Sequence, residues 1–125
     1  MTRPFSVREE QRLASCHVDL QRVVRRVHRE RMSLLVICGH RDEEDQNAAF
    51  TAGTSKLKWP HSRHNSYPSE AIDLAPDPLD WKDLERFSEL SEHMLDIADE
   101  EEVFLVWGGA WTNFSDKPHY ELEKF

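Results

Sequence analysis

Apolar residues Leu13, Cys16, Leu20, Val23 and Val27 recur at alternating spacings of three and four, which places them on one stripe of a helix. Ser6, followed three residues later by Glu9, predicts a capping box at its start. A single long helix is therefore expected from there to about Glu30. The continuous apolar run over 33–38, closed by Gly39, predicts a short buried strand. Residues 42–52 read as a helix whose first turn is acidic (Asp42, Glu43, Glu44) and whose inward face is small (Ala48, Ala49, Ala52). Residues 56–69 carry Trp59, Pro60 and Pro68 and show no regular period. Irregular stretches of that length inside a compact chain are usually functional or disordered, and the aromatic and ligand-type residues here favour function. A second short strand is expected at 71–75, stopped by Pro76 and Pro78. Asp80 is expected to cap a helix running to about Asp99, with Leu84, Phe87, Leu90, Met94 and Ile97 on one face. A third strand at 103–107 leads into Gly108-Gly109, and a last one is expected at 118–122.

Length and charge narrow the picture. With 125 residues the chain can bury one core but not a catalytic unit plus a separate binding module, so one domain over 1–125 is expected. No apolar run approaches the roughly 20 residues of a membrane span, and residues 1–12 lack the apolar core of a secretory signal. Membrane insertion is not expected, and the product should accumulate in the cytoplasm of the cell that makes it. A net charge of -8 argues against general affinity for nucleic acid. Arg22, Arg25, Arg26, Arg29 and Arg31 read as a solvated helix face, and His17 and His28 as surface or boundary histidines. Two cysteines, Cys16 and Cys38, are too few for a disulfide framework and read as buried thiols.

Asp73 is the oddity, an acid in the middle of an apolar strand. Such a residue is rarely buried unless it pairs with a cation or holds a metal. A buried Asp–Arg pair is one reading. The other comes from the neighbouring segments: 62–74 and 116–120 together supply His64, Asp73, Asp116 and His119. A hydrolytic zinc site needs three ligands of the His/Asp/Glu type, an open position, and a nearby carboxylate to move protons. His64, Asp73 and His119 are the candidate ligands, Asp116 the proton carrier, and Arg41 the cation beside a developing oxyanion. Two alternatives stay open: His61 in place of His64, or a structural zinc on Cys16, His17, Cys38 and His40.

At these residues the sequence resembles the zinc D-alanyl-D-alanine carboxypeptidase and L-alanyl-D-glutamate endopeptidase family, which includes many phage endolysins. The shared pattern is Ser62-Arg63-His64, then Ala71-Ile72-Asp73, then Asp116-Lys117-Pro118-His119. Gly39-His40-Arg41 with Gln46, and Trp107-Gly108-Gly109-Ala110-Trp111, extend the likeness over roughly 33–122. The His-to-Asp spacing is two longer than the family's commonest form, and His40 stands where an aromatic is usual. The resemblance implies an α+β fold of the Hedgehog/DD-peptidase type, a small antiparallel sheet flanked by helices. It implies zinc on His64, Asp73 and His119, with Asp116 as general base and acid. Arg41 would then lie near the substrate carbonyl, with Ser62 and Gln46 at the substrate.

The implied substrate is the stem peptide of bacterial peptidoglycan. The implied setting is a monomeric endolysin held in the host cytoplasm until a separate protein opens the way to the wall. Two rivals differ in chemistry. A carboxypeptidase removing the terminal D-Ala would need a group such as Arg63 or Ser62 to hold a free carboxylate. A zinc-stabilised binding module without turnover would have no need of Asp116.

Overall fold

A computed structural model describes residues 2–112 and 115–124. The first helical stripe folds as two helices, α1 (Val7–Ala14) and α2 (Val18–Glu30), rather than the single helix expected. The capping box forms as read, with Glu9 N–H donating to Ser6 Oγ at 3.1 Å and Ser6 N–H to Glu9 Oε1 at 3.0 Å. The break is made by long-range partners. His17 N–H donates to Ser69 O, and Ser69 N–H to Ser15 O, each at 2.8 Å. His17 then caps α2, its Nδ1 accepting from Asp19 N–H. The interruption fastens the end of the irregular 56–69 stretch to the helices. The apolar stripe survives it, since Leu13, Cys16, Leu20, Val23 and Val27 are all buried.

Strands β1 (Leu34–Cys38), β2 (Ala71–Pro76), β3 (Leu105–Trp107) and β4 (His119–Leu122) form one antiparallel sheet in the order β1-β2-β4-β3. With its helices this is the α+β arrangement expected. The third strand starts at Leu105, two residues later than expected, because Val103 is buried beneath the α4 end while Phe104 faces solvent. Alternation assigns the two faces of the sheet. Leu34, Val36, Ile72, Leu74 and Tyr120 pack into the core with α1, α2 and α4 (Leu84–Glu100). Asp73, His119 and Glu121 point the other way.

Two helical expectations need correction. In α3 (Glu43–Thr51) the buried residue is Gln46, while Ala48 and Ala52 are exposed, so the small face is not an inward one. The reason is position: α3 contributes no residue to the described hydrophobic core, and Gln46 is drawn inward by hydrogen bonds to Arg41, Asn65, Ser55 and Leu57. Asp83, not Asp80, caps α4, because Asp80 instead accepts from Lys82 N–H in a local turn. Leu84, at the first position of α4, is consequently exposed.

The α2 arginines are answered by acids. Arg22 and Arg26 bond Glu101, and Arg31 bonds Asp96 and Glu100, tying α2 to the α4 C-terminus. His28 is buried, against expectation, because its ring bridges Arg3 O and Leu34 N–H. Among the described residues no helix is long and apolar enough to cross a membrane.

Candidate active site

The sheet delivers three side chains to one face in a row. Asp73 of β2 pairs with Cys38 of β1 on one side and with His119 of β4 on the other. Cys38 reaches that row through a bulge. Val36 pairs with Leu74 but Cys38 pairs with Asp73, so one extra residue in β1 reverses the side-chain parity. Without it Cys38 would follow Leu34 and Val36 into the core.

His64 comes to the row on one turn of 3-10 helix, Arg63–Asn65. Ser62 Oγ accepts from His64 N–H at 3.2 Å and Asn65 Oδ1 from Ser62 N–H at 3.0 Å, a reciprocal cap that fixes the turn. Arg41 N–H donates to His64 O at 2.9 Å. The His64 Nδ1 lies 2.7 Å from Gly39 O, so Nδ1 carries a proton and Nε2 is the nitrogen left facing Asp73. That Nε2 sits 3.3 Å from Asp73 Oδ1 and has no hydrogen-bond partner, although His64 is only 2% exposed. His119 repeats the pattern from the opposite side. Its Nε2 faces Glu121 Oε1 at 2.7 Å and its Nδ1 faces Asp73 Oδ1 at 3.3 Å.

A lone pair facing a carboxylate in a buried setting is unfavourable unless a proton or a metal cation lies between them. The donor types suit a metal: one carboxylate and two imidazoles, each imidazole oriented by an acceptor on its far nitrogen. Among the described residues, the donor atoms within 4.8 Å of one another belong to Cys38, His64 and Asp73, a group able to hold a metal ion. His119 lies outside that group, although its Nδ1 is 3.3 Å from the same Asp73 oxygen. The rival set of Cys16, His17, Cys38 and His40 does not assemble. Cys16 is in the core, His17 caps α2, and His40 stands edge-on to Tyr67. His61 is exposed at the rim.

The remaining candidates surround this cluster. Arg41 donates to Asp73 Oδ2 at 3.2 Å and to Gln46 Oε1 at 3.3 Å. Both readings of Asp73 therefore coexist, one oxygen on the imidazoles and the other on arginine. Gln46 is a tie beneath the cleft, bonding Arg41, Asn65, Ser55 and Leu57. Arg63 is committed to Glu70, Glu121 and the Leu122 carbonyl. Asp116 is half-buried at the cleft wall, its N–H donating to Gly108 O at 2.9 Å. Gly108 is needed for that approach: a Cβ there would lie 2.5 Å from Asp116 O. The Trp107 indole donates to Lys117 O at 2.8 Å and holds the same turn. Arg41, Arg63, Asp73, Asp116 and Glu121 line one cleft of about 550 Å3 together with Cys38, His64 and His119.

Charge separates the two carboxylates. Burial disfavours the Asp73 anion, but His119 and His64 outweigh it and hold its pKa below the usual range. Burial likewise opposes charge on His64, and the facing Asp73 raises its pKa to about 10. Asp116 moves upward instead, first through burial and then through the negative charge of Asp73. Two carboxylates pushed apart in this way suit different tasks, one as a permanent anion and one as a proton carrier. The sequence reading missed Glu121, and it placed Cys38 among buried thiols or in the rival zinc set rather than beside His64 and Asp73. Glu121 stands two residues from His119 on one strand face, a spacing that could have revealed it.

Two imidazoles converging on one carboxylate, with a second carboxylate at the wall of an open cleft, are donor types that a metal ion accepts. The family model for phage L-alanyl-D-glutamate peptidase matches residues 1–124, and the chain belongs to that family. Among solved structures it is similar to the L-Ala D-Glu endopeptidase ChiX of Serratia marcescens. The TM-score is 0.81 and the identity 28%, over 95% of this chain and 89% of that one.

Proposed function

We propose that this chain is a zinc-dependent L-alanyl-D-glutamate endopeptidase that cuts the stem peptide of bacterial peptidoglycan in the manner of a phage endolysin. In that setting a monomer waits in the host cytoplasm for release to the wall. Family membership supports the bond class. The observation that carries the metal is the buried, unpartnered His64 Nε2 aimed at Asp73.

His64, Asp73 and His119 would hold the ion. Zinc, when bound, supplies Lewis acidity that polarises the scissile carbonyl and brings the pKa of a water from about 15.7 to near 7. Glu121 and Gly39 orient the two imidazoles by accepting from their far nitrogens. Arg41 donates to Asp73 Oδ2 and places a positive charge at the cleft, where oxyanion charge develops. Asp116, its pKa raised, accepts a proton from the attacking water and passes it to the leaving amine.

The carboxypeptidase reading keeps only one of its two candidate anchors. Arg63 is spent on Glu70, Glu121 and Leu122, while Ser62 Oγ accepts from the His64 amide and retains its own O–H donor. Digestion of purified peptidoglycan tests the choice. New L-Ala C-termini and D-Glu N-termini, abolished by a chelator, are expected. Free D-Ala as the product would replace the endopeptidase with a carboxypeptidase.

A further inference from the structure

We infer that Cys38 is a thiolate donor to the same metal, entering beside His64 and Asp73 to close the coordination shell; this rests on the zinc reading of that site. Three observations carry it. The β1 bulge turns Cys38 out of the core and sets it opposite Asp73. Its Sγ lies within 4.8 Å of donor atoms of both His64 and Asp73. The third is the buried, unpartnered Nε2 of His64, a residue of that same group. The sulfur has no strong competing bond; its contact with Gly39 O is 3.6 Å, the weak hydrogen bond of a thiol.

Zinc accepts thiolate readily, and hydrolytic zinc sites differ from structural ones by keeping one position open. His64, Asp73 and His119 leave that position open, and Cys38 fills it. With the sulfur bound, the thiol proton would go to solvent and the fourth position would be filled; exchange of the sulfur for water would open that position to the cleft. Bulges are commonly placed beside active sites to re-aim a side chain, and here the re-aimed group is a metal donor.

The test uses the full chain stripped with a chelator and titrated with Co2+. Wild type is expected to develop a near-ultraviolet thiolate-to-cobalt charge-transfer band that Cys38→Ser lacks. Metal uptake should also release about one more proton in wild type than in the variant. Should the variant fail to fold, wild type alone decides. Bound Co2+ is expected to slow modification of Cys38 by a thiol reagent at least tenfold, while buried Cys16 stays unreactive in either state. Co2+ uptake with no charge-transfer band, or a band that persists in folded Cys38→Ser, overturns the inference and leaves the metallopeptidase reading standing. No Co2+ uptake at all overturns both.

Discussion

Two carboxylates, the buried Glu9 and the part-buried Asp73, show what separates a structural acid from a working one. Glu9 faces donors only. Arg3 gives it two N–H groups, and the Ser6 and Val36 amides supply two more, at 2.8–3.2 Å. Asp73 faces Arg41 on one oxygen, but its other oxygen is shared by two imidazoles, one of which, His64, presents an Nε2 with no hydrogen-bond partner. The first acid is saturated and locks the N-terminus to β1. The second sits in a cluster that needs one more positive charge, at the floor of a cleft. A charge that is already satisfied stabilises; one that is incompletely matched is available to bind.

Removing each acid should break the molecule in a different way. Asp73→Asn has the largest expected effect: peptidoglycan hydrolysis falls to background and bound zinc is lost, while circular dichroism shows the fold retained. Asp116→Asn comes next. Hydrolysis should drop about 10²- to 10⁴-fold with zinc content unchanged, since the variant removes only the proton carrier. Because Asp116 has a raised pKa, the wild-type rate should fall on acidification at a higher pH than an ordinary carboxylate would give. A rate flat through that range would take Asp116 out of the mechanism.

Glu9→Gln should do the reverse of Asp73→Asn. Thermal unfolding is expected to show a loss of about 2–4 kcal/mol, from the broken Arg3 pair and the disturbed Val36 amide, with zinc uptake intact. Burial pushes the Glu9 pKa up, but Arg3 and the two amides lower it to about 2. A folded pKa below the unfolded one means that the stabilisation is complete above the unfolded value of about 4.5 and disappears as pH falls through about 2. The gap between wild type and Glu9→Gln should therefore close over that acid window. A gap that widened there would reverse the assignment. The smallest expected effect is that of Glu121→Gln, which leaves the ligands in place but weakens the hold on His119. Zinc affinity measured by competition with a chelator should fall about 10- to 100-fold.

Much of this contrast was written in local sequence. The Ser6/Glu9 capping box, the apolar stripe and four short strands follow from spacing, because each depends on residues a few positions apart. The odd placement of Asp73 in an apolar strand also marked the site. What spacing could not carry were the effects of distant partners. The break between α1 and α2 comes from hydrogen bonds to Ser69, more than fifty residues away. The outward turn of Cys38 comes from a bulge that only the pairing with β2 defines. The commitment of Arg63 to Glu121 and Leu122, and of Gln46 to the loop beneath the cleft, likewise appears only when β4 and residues 55–57 are in place. These tertiary contacts turn residues expected at the substrate into supports for the groups around it.

Calorimetric titration of zinc into chelator-stripped wild type and Asp73→Asn tests the central claim most directly. The account expects one zinc per wild-type chain and no comparable binding by the variant. Equal uptake by both proteins would contradict it.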